Sequence, residues 1–202
     1  VAAISRAFDS ARKHNPDAVL RVLLTQGSYQ VNDRVLDAAP EHVKITYYHG
    51  GLTYDSSHNP MIYPRLAAFA ESGRWLGVYP QVTASWRSVT PFTGPQFVRT
   101  RMNEFVEKGL SNVITYAVPA NRFHEFNVTA AAEWTWNGKG RTDRAFARAW
   151  AESKGVADPD LYSRWATTIG PVGWSLAGSR LALRLIYSAE GQLLDGSHPM
   201  RF

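Results

Sequence analysis

The chain has 202 residues, 45% hydrophobic and 19% charged, a balance that supports a domain with a sizeable core and argues against disorder. Its formal net charge of +5 comes from 22 Lys and Arg scattered along the sequence, which excludes the clustered basic face that nucleic acid requires. With no cysteine there is no disulfide, thiolate metal site or thiol nucleophile, and no apolar run reaches the roughly 20 residues that span a bilayer. The composition suits a soluble protein and is compatible with an exported or periplasmic one.

The segment "AAISRAFDSARKH" places Ile4, Phe8 and Ala11 at helical spacing, and Asn15-Pro16 stops it. "AVLRVLL" (18–24) is a nearly continuous apolar run, as in strands covered on both faces. "NDRVLDAAP" predicts a short helix with Asn32 as its N-cap. "VKITYY" (43–48) is a strand by its β-branched and aromatic content, and the polar loop "HGGLTYDSSHNP" follows it. "PRLAAFAESG" (64–73) predicts a helix opened by Pro64 and ended by Gly73. "WLGVYPQVTASW" (75–86) begins as a strand. "GPQFVRTRMNEFVEKG" is a helix whose Glu104 and Lys108 can pair at i,i+4. "NVITYAV" (112–118) is a strand, "EFNVTAAAEW" is helical, and "TDRAFARAWAESKG" (142–155) is a helix capped by Thr142. Beyond it, Asp158-Pro159 opens one helix and "GWSLAGSRLALRLIY" (173–187) forms another.

Strand and helix thus alternate four times, which is βα arithmetic. Four units fill about 140 residues, whereas a whole eightfold barrel needs about 250. The expected fold is α/β, of (β/α)8 TIM-barrel type, with four βα units making its second half over 1–155 and a C-terminal helical extension packed on it over 156–202. A small open α/β sheet is the alternative. The first and last strands of a half barrel would expose unpaired edges, to be covered by the missing barrel half or another chain.

In parallel α/β folds, functional groups gather at the carboxyl ends of the strands. Those positions hold Tyr48, His49 and Asp55 after the second strand, and Tyr79, Gln81 and Trp86 after the third. After the fourth come Asn121 and then "EWTWN", with Glu133, Trp136 and Asn137. Aromatic rings, amides and hydroxyls with few charges are what a carbohydrate needs: the rings stack on pyranose C–H groups and the polar groups bond the hydroxyls. Each position also has a plain structural reading. An arginine ion pair accounts equally for Glu133, core packing for one of the alternating tryptophans, and a turn before two glycines for His49. Spacing of His49 and His58 fits no metal motif, and no nucleotide-binding glycine pattern exists, so neither metal nor cofactor is expected. Glycoside hydrolysis needs two carboxyl groups about 5–10 Å apart, for which Asp55 and Glu133 are the weak candidates.

The run "YAVPAN", followed by a helix and then "EWTWNGKGRTDRAFARAW", resembles the end of the catalytic barrel in hexosaminidase-type glycoside hydrolases, those like O-GlcNAcase and hyaluronidase. The matching positions are Asn121, Trp136, Asn137 and Trp150, and "RWLGVYPQVTAS" stands in the place of the family's penultimate substrate-gripping strand. The resemblance covers roughly 18–155. Where those enzymes carry Asp-Asn-Tyr-Pro, this chain has Gly77-Val78-Tyr79-Pro80, so the acidic sugar-gripping residue is missing. The resemblance implies that the four strands are the fifth to eighth of a barrel. It also implies that the acid pair, at the end of a fourth strand, lies before Val1. The expected function is therefore a glycoside hydrolase, or the part of one that holds a glycan substrate. A non-catalytic carbohydrate-binding or scaffold domain is the second reading, and a barrel lyase or isomerase using His49 as base the third.

Overall fold

Helices and strands alternate through the chain in the computed structural model, which describes residues 2–25, 28–48, 58–82, 93–115 and 124–178. In order they are α1 (Ala2–His14), β1 (Arg21–Thr25), α2 (Tyr29–Ala38), β2 (Lys44–Tyr48), α3 (Pro64–Glu71), β3 (Leu76–Val78), α4 (Pro95–Glu107), β4 (Asn112–Val113), α5 (Glu125–Trp136), α6 (Asp143–Ser153) and α7 (Pro159–Gly178). The four strands form one parallel sheet in the order β1-β2-β3-β4. Leu23 lies opposite Thr46, Thr46 opposite Gly77, and Gly77 opposite Asn112.

A right-handed crossover between neighbouring parallel strands returns its helix to the same side of the sheet each time. An order that never reverses therefore stacks the crossover helices on one face. The core is built accordingly. Leu24, Ile45, Tyr47, Leu76 and Val78, which alternate along the strands, share one buried cluster with Leu36 of α2, Leu66 and Phe69 of α3, and Val98, Met102 and Phe105 of α4. Trp134 of α5, Phe146 of α6 and Ala166 of α7 complete it. The intervening residues, Leu23, Thr46, Tyr48, Gly77, Tyr79 and Asn112, belong to the opposite face. Gly77 has to be glycine: a Cβ there would sit 2.8 Å from the Trp75 ring and 3.3 Å from the Asn112 Cβ.

Three sequence expectations change. The first strand starts at Arg21, not at residue 18, because Asn15 holds a turn in which its carbonyl accepts the Ala18 N–H at 3.0 Å. Asn32 is not an N-cap. It lies inside α2, fully buried, where its Nδ2 donates to the Thr25 carbonyl at 3.2 Å and its Oδ1 accepts from the Ser28 hydroxyl at 2.7 Å, tying α2 to the end of β1. The first helix expected after Asp158 does not end before 173: α7 continues through Pro171 to Gly178, and residues 179–187 of the second expected helix lie outside the described residues.

Proline inside a helix frees the carbonyl four residues earlier. Here that carbonyl, of Thr167, accepts from Gln96 Nε2 at 2.9 Å, so a side chain from the first turn of α4 replaces the missing bond. Gly170 makes the approach possible, because a Cβ there would collide with Gln96 Oε1.

A second tie fixes the segment before α3. Glu104 of α4 accepts from the Met61 and Ile62 amides at 3.1 and 2.8 Å and from Arg101 at 2.7 Å, while Lys108 lies 3.2 Å away. Arg101 also donates to the Asn59 carbonyl and Lys108 to that of Ile62. Burial opposes ionisation of Glu104, but the Ile62 amide, the Arg101 guanidinium and the Met61 amide outweigh it and hold the carboxyl below its ordinary value. Glu104→Ala should cost about 2–3 kcal/mol in urea unfolding, since it strands buried donors. With the folded value below the unfolded one near 4.5, the Glu104 contribution is complete above that pH and is lost as pH falls through the folded value. In Glu104→Gln the loss of stability below about pH 4.5 should be shallower than in the wild type.

Candidate functional site

The carboxyl edge of the sheet collects aromatic and amide side chains. Tyr48 ends β2, and Tyr79 follows β3, held in register by its N–H to the Tyr47 carbonyl at 2.9 Å. Their alternation puts both on the face away from the helical core, and their rings meet with centroids 5.6 Å apart at 51°. Both are half-buried. Pro80 then ends the ladder, having no N–H to donate. Gln81 follows, fully buried, and neither atom of its amide has a hydrogen-bond partner among the described residues.

Asn127 laces this edge together. From the first turns of α5 its Nδ2 donates to the Val82 carbonyl at 2.7 Å, and its Oδ1 accepts the Gly94 N–H at 3.1 Å. One buried amide thus joins the exit of β3, the start of α4 and the start of α5. His124 occupies the N-cap position of α5, one turn before Asn127, and makes no side-chain capping bond. It is 1% exposed, and neither ring nitrogen has a partner among the described residues. Burial pushes its pKa below the usual value, so the imidazole is neutral at physiological pH. On the same sheet face, the Thr46 hydroxyl and Asn112 Oδ1 are also buried without partners.

The structure brings Tyr48, Tyr79 and Gln81 to one edge and places Glu133, Trp136 and Asn137 elsewhere. Helices α4 and α5 run side by side in the same direction, with Gly94 against Asn127 at one end and Gly138 packed on Asn103 at the other. Trp136 lies about 13 Å further along the α5 axis than Asn127, at the amino side of the sheet. Glu133 pairs with Arg141 at 3.1 Å. Trp136 is 92% exposed, and Asn137 is the C-cap, its N–H bonded to the Glu133 carbonyl at 2.9 Å. Among the described residues no hollow joins these three to the tyrosines, because a helix that leaves the carboxyl edge returns to the amino edge by its last turn. Trp150 packs with Phe126 and Tyr162 in the α5–α6–α7 contact. His49, Asp55, Trp86 and Asn121 lie outside the described residues.

Several hollows occur among the described residues, and that of about 300 Å³, lined by Asn103, Val106, Trp136 and Asn137, lies between α4 and the end of α5. Another, of about 430 Å³, is lined by His58, Thr100, Arg101, Glu104, Lys108 and Trp174 and is largely committed to the Glu104 network. A third, of about 360 Å³, is an apolar groove between β4 and α5, with Val113, Val128, Ala131 and Trp136 on its walls. Among the described residues no group of three His, Asp or Glu is placed to hold a metal ion, and no helix is long and apolar enough to cross a membrane. Compared with known proteins, the chain matches no family model, and no curated protein or solved structure is significantly similar to it.

The sequence reading missed His124 and Asn127. Both stand at the head of a largely apolar helix, and only the fold brings Asn127 beside Val82 and Gly94. Asn127→Ala should cost about 2–4 kcal/mol in denaturant unfolding, since it orphans a buried N–H and a buried carbonyl. Because the folded-state pKa of His124 lies below its unfolded value of 6.5, the unfolded chain takes up a proton that the folded chain refuses as pH falls through that value. Stability should decline from about pH 6.5 downward, and His124→Phe should flatten that decline in pH-dependent melting.

Proposed function

We propose that this chain binds an uncharged glycan across the carboxyl edge of its parallel sheet, as a (β/α)8-type glycoside hydrolase or the glycan-holding part of one. The observation that carries this reading is the Tyr48–Tyr79 pair, two rings at neighbouring strand ends on the face turned from the core. Such rings offer flat apolar faces to sugar C–H groups, and the amide of Gln81 stands two residues from Tyr79. The barrel is favoured by the sequential strand order and by helices confined to one face, since a doubly wound sheet needs a reversal of order. In a barrel the outer edge of β4 is paired by a further parallel strand, from another part of a longer chain or from a partner.

A binding domain without turnover is the second reading. It is favoured by the engagement of the described carboxylates: Glu125, in the first turn of α5, pairs with Lys154, and Glu133 with Arg141. Turnover of aryl glycosides supports the hydrolase; saturable binding without turnover supports the binding domain.

Isothermal titration with chitotriose, cellotriose and maltotriose tests the shared claim. At least one should bind. Tyr48→Ala and Tyr79→Ala should each weaken it roughly threefold to tenfold, the range expected for one stacked ring. Glu133→Gln and Trp136→Ala should change it less than about twofold, as residues at the far end of α5. Binding to none of the three, or loss confined to the Glu133 and Trp136 variants, would contradict the reading.

A further inference from the structure

We propose that α7 is the face by which two copies of this chain associate, packing antiparallel through an apolar stripe that lies outside the core. The inference is independent of the glycan reading above.

The stripe is a second apolar face on one helix. Ser163, Ala166 and Gly170 of α7 turn inward and are buried, the Thr167 carbonyl takes the Gln96 bond, and Tyr162 stacks on Trp150. Leu161, Trp165, Ile169, Val172 and Leu176 recur every three or four residues on another face, and each is 40–60% exposed. A helix apolar on one side packs on one layer, whereas one apolar on two sides is covered on both. Single apolar residues scattered over a surface need no explanation. A continuous row about 22 Å long, at 1.5 Å per residue, marks an interaction site.

Area, spacing and charge select the occupant. Large side chains exposed by about half leave on the order of 100 Å² each, so five from each of two copies bury on the order of 1,000 Å², the size at which specific interfaces begin. A two-fold axis passing between Thr168 and Ile169 brings Leu161 of one copy against Leu176 of the other, Trp165 against Val172, and Ile169 against Thr168. The largest ring thus lies over a small side chain at both crossings. Asp160 and Arg164 are the charged residues of α7, and both stand in its amino-terminal half. Antiparallel packing sets them against the uncharged half of the second helix. Parallel packing would put Arg164 beside Arg164 and Asp160 beside Asp160, and like charges oppose that arrangement.

Sedimentation equilibrium of the full chain tests this between roughly 1 and 100 µM, a range suited to an interface at the small end of the scale. The wild type should pass from monomer to dimer across it. Trp165→Glu and Val172→Lys should each raise the dissociation constant at least tenfold. Their far-UV circular dichroism should stay that of the wild type, since both positions are exposed. Mixed in equal amounts, the two variants should dimerise again, because the introduced glutamate of one meets the introduced lysine of the other and the second crossing keeps its native Trp165–Val172 contact. A wild type that stays monomeric throughout, a dimer that both variants leave intact, or variants that do not recover on mixing would each overturn the proposal. A monomer whose Ile169 and Val172 methyl signals shift on Leu183→Asp would make residues 179–202 the occupant instead. A monomer that binds phosphatidylcholine vesicles, and loses them with Trp165→Glu, would make α7 a lipid-binding face.

Discussion

Parallel strands laid down in sequential order constrain everything else in this fold. Each crossover must return to the same face, so the helical layer and the core accumulate on one side of β1 to β4. The side chains that alternate away from that core are released from packing it. They are a mixed set: Leu23, Thr46, Tyr48, Tyr79 and Asn112, with Gly77 kept bare by the ring of Trp75. Chemistry and packing are thereby divided between two faces of the same four strands.

Rigidity at the carboxyl edge comes from single side chains that join several elements. Asn32 ties α2 to β1, and Asn127 ties α5 to both β3 and α4. Gln96 repairs the carbonyl left open by Pro171 and so fixes α7 against the start of α4. Glu104 gathers two backbone amides and two cations in a partly buried site, where its hydrogen bonds outweigh desolvation. Not every buried polar atom is met in this frame: among the described residues the Gln81 amide, the His124 ring nitrogens, the Thr46 hydroxyl, Asn112 Oδ1 and Gln96 Oε1 have no partner.

The sequence showed the layer architecture because it is written in local periodicity. The apolar run at 43–48 and helical spacing at 95–107 and 143–153 survive in β2, α4 and α6, while of the strand expected over 112–118 only Asn112–Val113 is strand and 116–118 lie outside the described residues. Thr142 caps α6 as read, its hydroxyl accepting the Ala145 N–H at 3.2 Å. Tyr48 and Tyr79 were readable as partners, since parallel register places strand ends side by side. Glu133, Trp136 and Asn137 were not, because closeness in sequence to a strand end is cancelled by the length of α5. A helix of 12 residues carries its last turn back across the sheet. Asn127 gave no local signal, for its role depends on Val82 and Gly94, 45 and 33 residues earlier. The helix break expected near Pro171 failed for a related reason: a tertiary donor, Gln96, replaced the bond that local rules count as lost.

The most direct measurement is amide and side-chain shift mapping on the isotope-labelled chain as a neutral trisaccharide is added. If the carboxyl edge holds the glycan, the perturbed signals will be centred on Tyr48 and Tyr79, with Glu133, Trp136 and Asn137 unmoved. Perturbations centred on the last turn of α5, with the two tyrosines silent, would contradict the account.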